Sequence, residues 1–160
     1  MTEMPQYGMN LDHLAEVEAY VTAPIPVGSS SWGTRLIFPV VGGTVKGPKL
    51  NGKIQAFGAD WGLIRQDNCF ELDVRIVVET DDGAVIHTHF LGIVDMTKEQ
   101  ADQFRVGDLP KGLSLYTTPR FETSHEKYQW LTRVQAVGRG SVAPEGDRFK
   151  VTYSWYVLEA

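Results

Sequence analysis

The stretch CFELDVRIVVET, Cys69 to Thr80, constrains the fold more than any other. Phe70, Leu72, Val74, Ile76 and Val78 alternate with Glu71, Asp73, Arg75 and Glu79, so apolar and polar side chains leave opposite sides of the chain. A period of two belongs to a strand with one apolar face, because successive side chains of a pleated strand point to opposite sides. Asp81-Asp82-Gly83 then reads as a turn, and AVIHTHFLGIVDM as the returning strand of a hairpin. A three-residue loop with Gly83 left-handed pairs Thr80 with Ala84, Val77 with His87, Arg75 with His89 and Asp73 with Leu91. A two-residue loop shifts the register by one and sends both histidines to the side of Leu72, Val74 and Ile76.

The rest of the chain supplies more of the same pattern. Residues 1–10 read as a flexible arm, and residues 11–160 as one domain. The segment up to Val21 fits a first strand, although Leu11, Leu14 and Glu18 also fit a helical spacing. The proline-rich TAPIPVGSSSWG breaks any helix and leads into the strand-like RLIFPVVGG. A short helix is expected before Pro110, with Thr97 as its cap and Gln100 completing a capping box. SLYTTPRFET, YQWLTRVQAVGRGSVA and RFKVTYSWYVLEA then read as further strands, rich in aromatic and β-branched residues. Many strands with hardly any helix predict an all-β antiparallel barrel or sandwich.

At 160 residues the chain is long enough to hide about 70% of its unfolded surface in one core. The net charge of -5, with 15 Lys and Arg residues scattered singly, argues against a nucleic-acid partner. The single cysteine, Cys69, excludes an internal disulfide and a four-thiolate metal site. No secretory leader or bilayer-length apolar run is evident, so the expectation is a cytoplasmic protein without a membrane partner.

The glycine-rich GGTVKGPKLNGKIQAFGADW invites a test for a phosphate loop. Gly42 and Gly47 have the spacing, but Pro48 stands where the phosphate-binding lysine belongs, and no G-x-G-x-x-G is present. Gly42-Gly43, Gly47-Pro48 and Asn51-Gly52 read instead as successive strand connections. The adjacent Asp60 and Trp61, followed by Arg65, combine a carboxylate, a flat apolar ring and a cation, a set suited to an aromatic or carbonyl-bearing ligand. A structural ion pair of Asp60 with an arginine accounts for the same residues.

In the three-residue register Asp73, Arg75, His87 and His89 share one strand face. If the Phe70 side packs outward, that face lines a polar interior, where a histidine moves a proton, Arg75 holds an anion and Asp73 orients either. An exposed sheet face with ordinary cross-strand pairs predicts the same alternation. His87, His89 and Asp73 lack a recognisable third metal-ligand motif, so neither metal nor cofactor is expected. Trp32, Trp61, Trp130 and Trp155, with Phe121, Tyr128, Tyr153 and Tyr156, are candidates for a pocket wall, a core or a dimer surface, and Glu122 for a carboxylate at a strand end. No Gly-x-Ser-x-Gly elbow occurs, and no histidine neighbours Cys69, which disfavours covalent catalysis.

Taken in order, Gly33-Thr34-Arg35, FPVVGGTVKGPKLNGKI, GADW, LDVRIVVETDDGAVIH, TTPRFET and YQWL resemble the DUF3237 family, also called UPF0311, from about residue 11 to the end. The resemblance implies a single small antiparallel β-barrel, often dimeric, with a central cavity suited to a small molecule. It implies no common activity, since function resides in the site rather than the fold. The combined expectation is a homodimeric, cofactor-independent isomerase, cyclase or lyase acting by general acid–base catalysis on a small aromatic or carbonyl compound. Asp60, Arg75, His87 and His89 are the candidate catalytic residues, and Arg35, Trp61, Arg65, Asp73, Glu122 and Trp130 the candidate substrate contacts. A non-catalytic carrier or sensor is the alternative.

Overall fold

The computed structural model describes residues 3–159. Nine strands run in chain order: β1 (Asn10–Thr22), β2 (Ile25–Ser30), β3 (Gly33–Lys46), β4 (Gly52–Ile64), β5 (Phe70–Thr80), β6 (Val85–Val94), β7 (Leu115–Glu122), β8 (Ala136–Glu145) and β9 (Arg148–Glu159). A helix, α1 (Lys98–Arg105), lies between β6 and β7, and a 3-10 helix (Glu126–Arg133) between β7 and β8. Every pairing is antiparallel. The order β1-β9-β8-β7-β6-β5-β4-β3 closes through a β1–β3 pairing into an eight-stranded barrel, and β2 adds to the outside edge of β3. Closure removes the exposed strand edges that an open sheet would leave.

The β5–β6 hairpin has the first of the two registers the sequence allows: Asp73 pairs with Leu91, Arg75 with His89 and Val77 with His87. Its loop is the three-residue one, with Gly83 at φ 91° and Thr80 N donating to Ala84 O at 2.8 Å. The condition for a polar interior is not met, however. Phe70, Leu72, Val74, Ile76 and Val78 are all buried in the core, so Asp73, Arg75, His87 and His89 lie on the outer wall. An eight-stranded barrel has room inside only for side chains or one small ligand, and turning the apolar set inward has the least desolvation cost.

The first segment is a strand, since its alternate Val17, Ala19 and Val21 face the core. Gly42 and Gly43 do not connect strands but lie inside β3 at a bulge, and the connection to β4 is the 47–51 loop. The YQWLTR segment forms the 3-10 helix rather than a strand, because it must turn Tyr128 and Leu131 together into the core at a spacing of three.

The two ends of the barrel differ. At the Thr80 end, Leu14, Leu50, Ile86 and Leu131 are each 1% exposed or less, and the 3-10 helix is tied to the hairpin tip through Asp82. At the Phe70 end the cover is α1, whose predicted Thr97–Gln100 capping box is formed. Phe104 of α1 packs edge-on to Phe70 at 5.0 Å and near Phe38 at 6.0 Å. Arg105 Nη2 pins the helix by donating to Arg65 O at 3.0 Å and Asn68 Oδ1 at 3.1 Å.

Candidate functional site

Beneath α1 the barrel is not filled, and a cavity of about 60 Å³ remains. Its wall is apolar, drawn from every barrel strand and from α1, with Val74, Phe90, Phe104 and Phe149 among its members. Only two lining side chains carry polar atoms, Asp60 from β4 and Tyr153 from β9. A water needs roughly 10–15 Å³ and a cavity known to admit benzene measures about 150 Å³, so this space has room for something water-sized, and a ring enters only if the cover shifts.

Asp60 points inward because it pairs with inward-facing Val74 on β5 and Phe38 on β3. The β4–β5 ladder skips Trp61 and Gly62 opposite Leu72 and Asp73, and there Asp60 Oδ1 accepts the Asp73 backbone N–H at 2.9 Å. Asp60 is only 8% exposed. Burial lifts its pKa to about 7, against a lowering by the Asp73 N–H; the Asp73 charge adds to the rise and Arg35 opposes it. A carboxyl that titrates near neutrality suits proton transfer in both directions. Tyr153 is 3% exposed, and burial, with a contribution from the Asp60 charge, pushes its phenol well above the usual value.

Trp61 sits next to Asp60 in sequence but on the opposite side of the wall, 36% exposed. The Arg75 guanidinium lies 5.9 Å from its ring centre, and Arg35 Nη1 donates to its carbonyl at 2.9 Å. On the same outer wall His89 Nε2 lies 2.8 Å from Asp73 Oδ1, and His87 Nδ1 is 3.9 Å from Glu122 Oε1. Asp73 links the two walls: its backbone holds Asp60 inside while its side chain holds His89 outside.

Two predicted contacts stand apart from both groups. Arg65 is committed to Asp67 at 2.6 Å and Glu71 at 3.2 Å, and these bonds, Asp67 first, raise its pKa further. Trp130 lies in an open cleft at the Thr80 end with Lys49 5.7 Å from its ring centre. The structure thus gathers Arg35, Trp61, Asp73, Arg75 and His89 on the outer wall and leaves Asp60 alone among the predicted residues in the cavity.

The sequence of a family described as "Protein of unknown function (DUF3237)" matches residues 9–158. The chain belongs to the DUF3237 family. A UPF0311 protein of Rhodopseudomonas palustris is 41% identical to this DUF3237 chain over 123 residues, covering 76% of it and 79% of the relative. A solved structure of a conserved protein of unknown function from Rhodopseudomonas palustris, 33% identical, covers 96% of the chain and all of its own, with a TM-score of 0.81. A solved structure of an enzyme from Penicillium herquei covers 99% of the chain and all of its own at 20% identity and a TM-score of 0.67, a likeness of fold alone.

Reading the sequence missed the importance of Tyr153, which it placed only among possible wall aromatics. The available signal was the alternation in TYSWYV, whose inward members Tyr153, Trp155 and Val157 include one phenol. Opposite it, β8 carries glycine at 140, where a Cβ would come within 2.5 Å of the Tyr153 ring and 2.1 Å of Thr152 O.

Proposed function

We propose that this DUF3237 protein is a cofactor-independent acid–base enzyme, an isomerase, cyclase or lyase, acting on a small aromatic or carbonyl compound inside the barrel. The observation that carries the reading is Asp60: a single carboxyl in an apolar cavity, with its pKa raised to about 7 by burial. As carboxylate it accepts a proton from a carbon or hydroxyl of the ligand; as acid it returns the proton to a different atom. The aromatic and aliphatic wall holds the ring and keeps bulk water from the transfer. Arg35 tunes Asp60 from across the wall, favouring its charged form. Arg75, His87 and His89 have no place in the transfer itself on this reading, because they face outward. The exposed Leu91, Ile93 and Tyr116 on that wall support a homodimer as part of the same reading.

The test is a screen of enolisable ketones, lactones and hydroxylated aromatics for product, with proton–deuterium exchange in D2O as a first readout. Asp60→Asn keeps an oxygen for the Asp73 N–H and removes the titrating group, so turnover of a verified substrate is expected to fall by about 10²–10⁴-fold. Full turnover by Asp60→Asn sinks Asp60 as the acid or base. The second reading is a non-catalytic binder, favoured by the hydrogen bond that already employs one Asp60 oxygen. It predicts ligand binding with no exchange in either protein.

A further inference from the structure

We propose that Tyr153 is the second catalytic group of this cavity, donating its hydroxyl hydrogen bond to the carbonyl oxygen of a compact, uncharged ketone while Asp60 moves the proton. The proposal rests on the acid–base reading of Asp60 and names the substrate class that reading leaves open.

Three observations carry it. Tyr153 lines the cavity, yet among the described residues its hydroxyl makes no hydrogen bond. A hydroxyl on the cavity wall with no protein acceptor keeps its donor for a ligand acceptor. Among the described residues the fully buried side-chain polar atoms without partners are Thr88 Oγ1, Thr117 Oγ1 and Trp155 Nε1; none of these residues lines the cavity, and the Tyr153 hydroxyl is not one of them, so it keeps contact with open space. Second, the ring is held in place, edge-on to Phe90 at 5.5 Å, stacked towards Trp155 at 6.5 Å, and backed by Gly140. A donor fixed before the ligand arrives needs no reorganisation during reaction. Third, no arginine, lysine or histidine lines the cavity, so a carboxylate or phosphate entering it would bring an uncompensated charge beside Asp60. A neutral carbonyl escapes that penalty and still offers Tyr153 an acceptor.

The reaction step balances within these two groups. The Asp60 carboxylate takes the proton from the carbon beside the carbonyl, the C–H pair forms the new carbon–carbon double bond, and the carbonyl π pair moves onto oxygen. Tyr153 donates to that oxygen throughout and stays protonated, in keeping with the rise in its pKa caused by burial. In a saturated ketone the proton returns from Asp60 to the same carbon, which is the exchange; where the ketone carries a β,γ double bond the enolate is conjugated, and return of the proton to the γ-carbon completes an isomerisation.

The test uses the whole protein, cyclopentanone as the probe, its hydrocarbon isostere methylenecyclopentane, and cyclopentanecarboxylate. Wild type is expected to bind the ketone about tenfold more tightly than the hydrocarbon, with the carboxylate weakest, and to lower the carbonyl stretching frequency of the bound ketone. Tyr153→Phe should lose the preference and the frequency shift while binding the hydrocarbon unchanged. Its melting temperature should stay level or rise, since no partner of the hydroxyl is left stranded in the protein. Asp60→Asn should retain both the preference and the shift and lose only α-proton exchange. Equal ketone binding and shift in wild type and Tyr153→Phe, tighter binding of the carboxylate, or failure of wild type to bind the ketone at millimolar concentration overturns the proposal. Loss of exchange in Asp60→Asn alongside an unaffected Tyr153→Phe overturns Tyr153 and spares Asp60; unaltered exchange in Asp60→Asn does the reverse.

Discussion

The inner and outer walls of β4 and β5 carry neighbouring residues into opposite environments. Inside, Asp60 shares an apolar cavity with Val74, Phe90 and Phe104, and its carboxyl is driven towards the neutral form. Outside, one residue further along, Trp61 meets Arg75, and Asp73 meets His89, in groups about a third or more open to water. The outer wall holds more titratable groups, but water weakens their mutual effect. The inner wall holds one carboxyl, and its burial gives it the larger response. The number of charged residues is therefore a poor guide to where a pKa moves in this barrel; the solvation of each is the better one.

The largest separation of the two walls is expected in the pH dependence of stability. An aspartate titrates near 3.8 when unperturbed and Asp60 near 7 when folded, so between these values the folded chain holds the extra proton. Its contribution is fully present below about pH 4 and is lost as pH rises through 7, on the order of 4 kcal/mol in total. Urea unfolding of wild type and Asp60→Asn from pH 5 to 9 checks this: the mutant should lack that decline, and parallel curves would falsify the raised pKa. Asp67 acts in the opposite sense at lower pH. Arg65 holds it down to about 2, so its stabilisation is lost as pH falls from about 4 through 2.

A smaller effect is expected from filling the inner wall. Gly140→Ala puts a Cβ against the Tyr153 ring and Thr152 O, and overpacking of this kind costs about 1–3 kcal/mol. Displacement of the ring should also weaken ketone binding more than hydrocarbon binding. Smallest of all should be the outer wall, where Arg75→Ala and His89→Ala are expected to change stability by less than about 0.5 kcal/mol and exchange by less than about twofold. An Arg75→Ala or His89→Ala variant as inactive as Asp60→Asn would move the site outside the barrel.

Much of the scaffold is legible in the chain. The alternation at 69–80 specified β5, Asp81-Asp82-Gly83 specified the turn and narrowed the β5–β6 register to two, and Thr97 with Gln100 specified the start of α1. These features are legible because they depend on residues close in sequence. The 126–133 segment was misread because Tyr128, Trp130 and Leu131 satisfy both a strand-like composition and a helical spacing, and only the open end of the barrel selects the second. Asp60 was singled out for its neighbour Trp61, yet the wall separates the two; what distinguishes Asp60 is its seclusion among residues from seven other strands and α1.

By itself, then, the sequence determined an antiparallel all-β chain and a β5–β6 hairpin with two possible registers, of which the structure has the one pairing Asp73 and Arg75 with Leu91 and His89. Only the tertiary structure decided which face of β5 turned inward, that Asp60 and Tyr153 share one cavity, and that the histidines do not reach it. Strand alternation is a local property of backbone geometry, identical whichever face is buried. The inside is chosen by closure of the whole sheet, when β1 meets β3 and the apolar faces of eight strands leave water together.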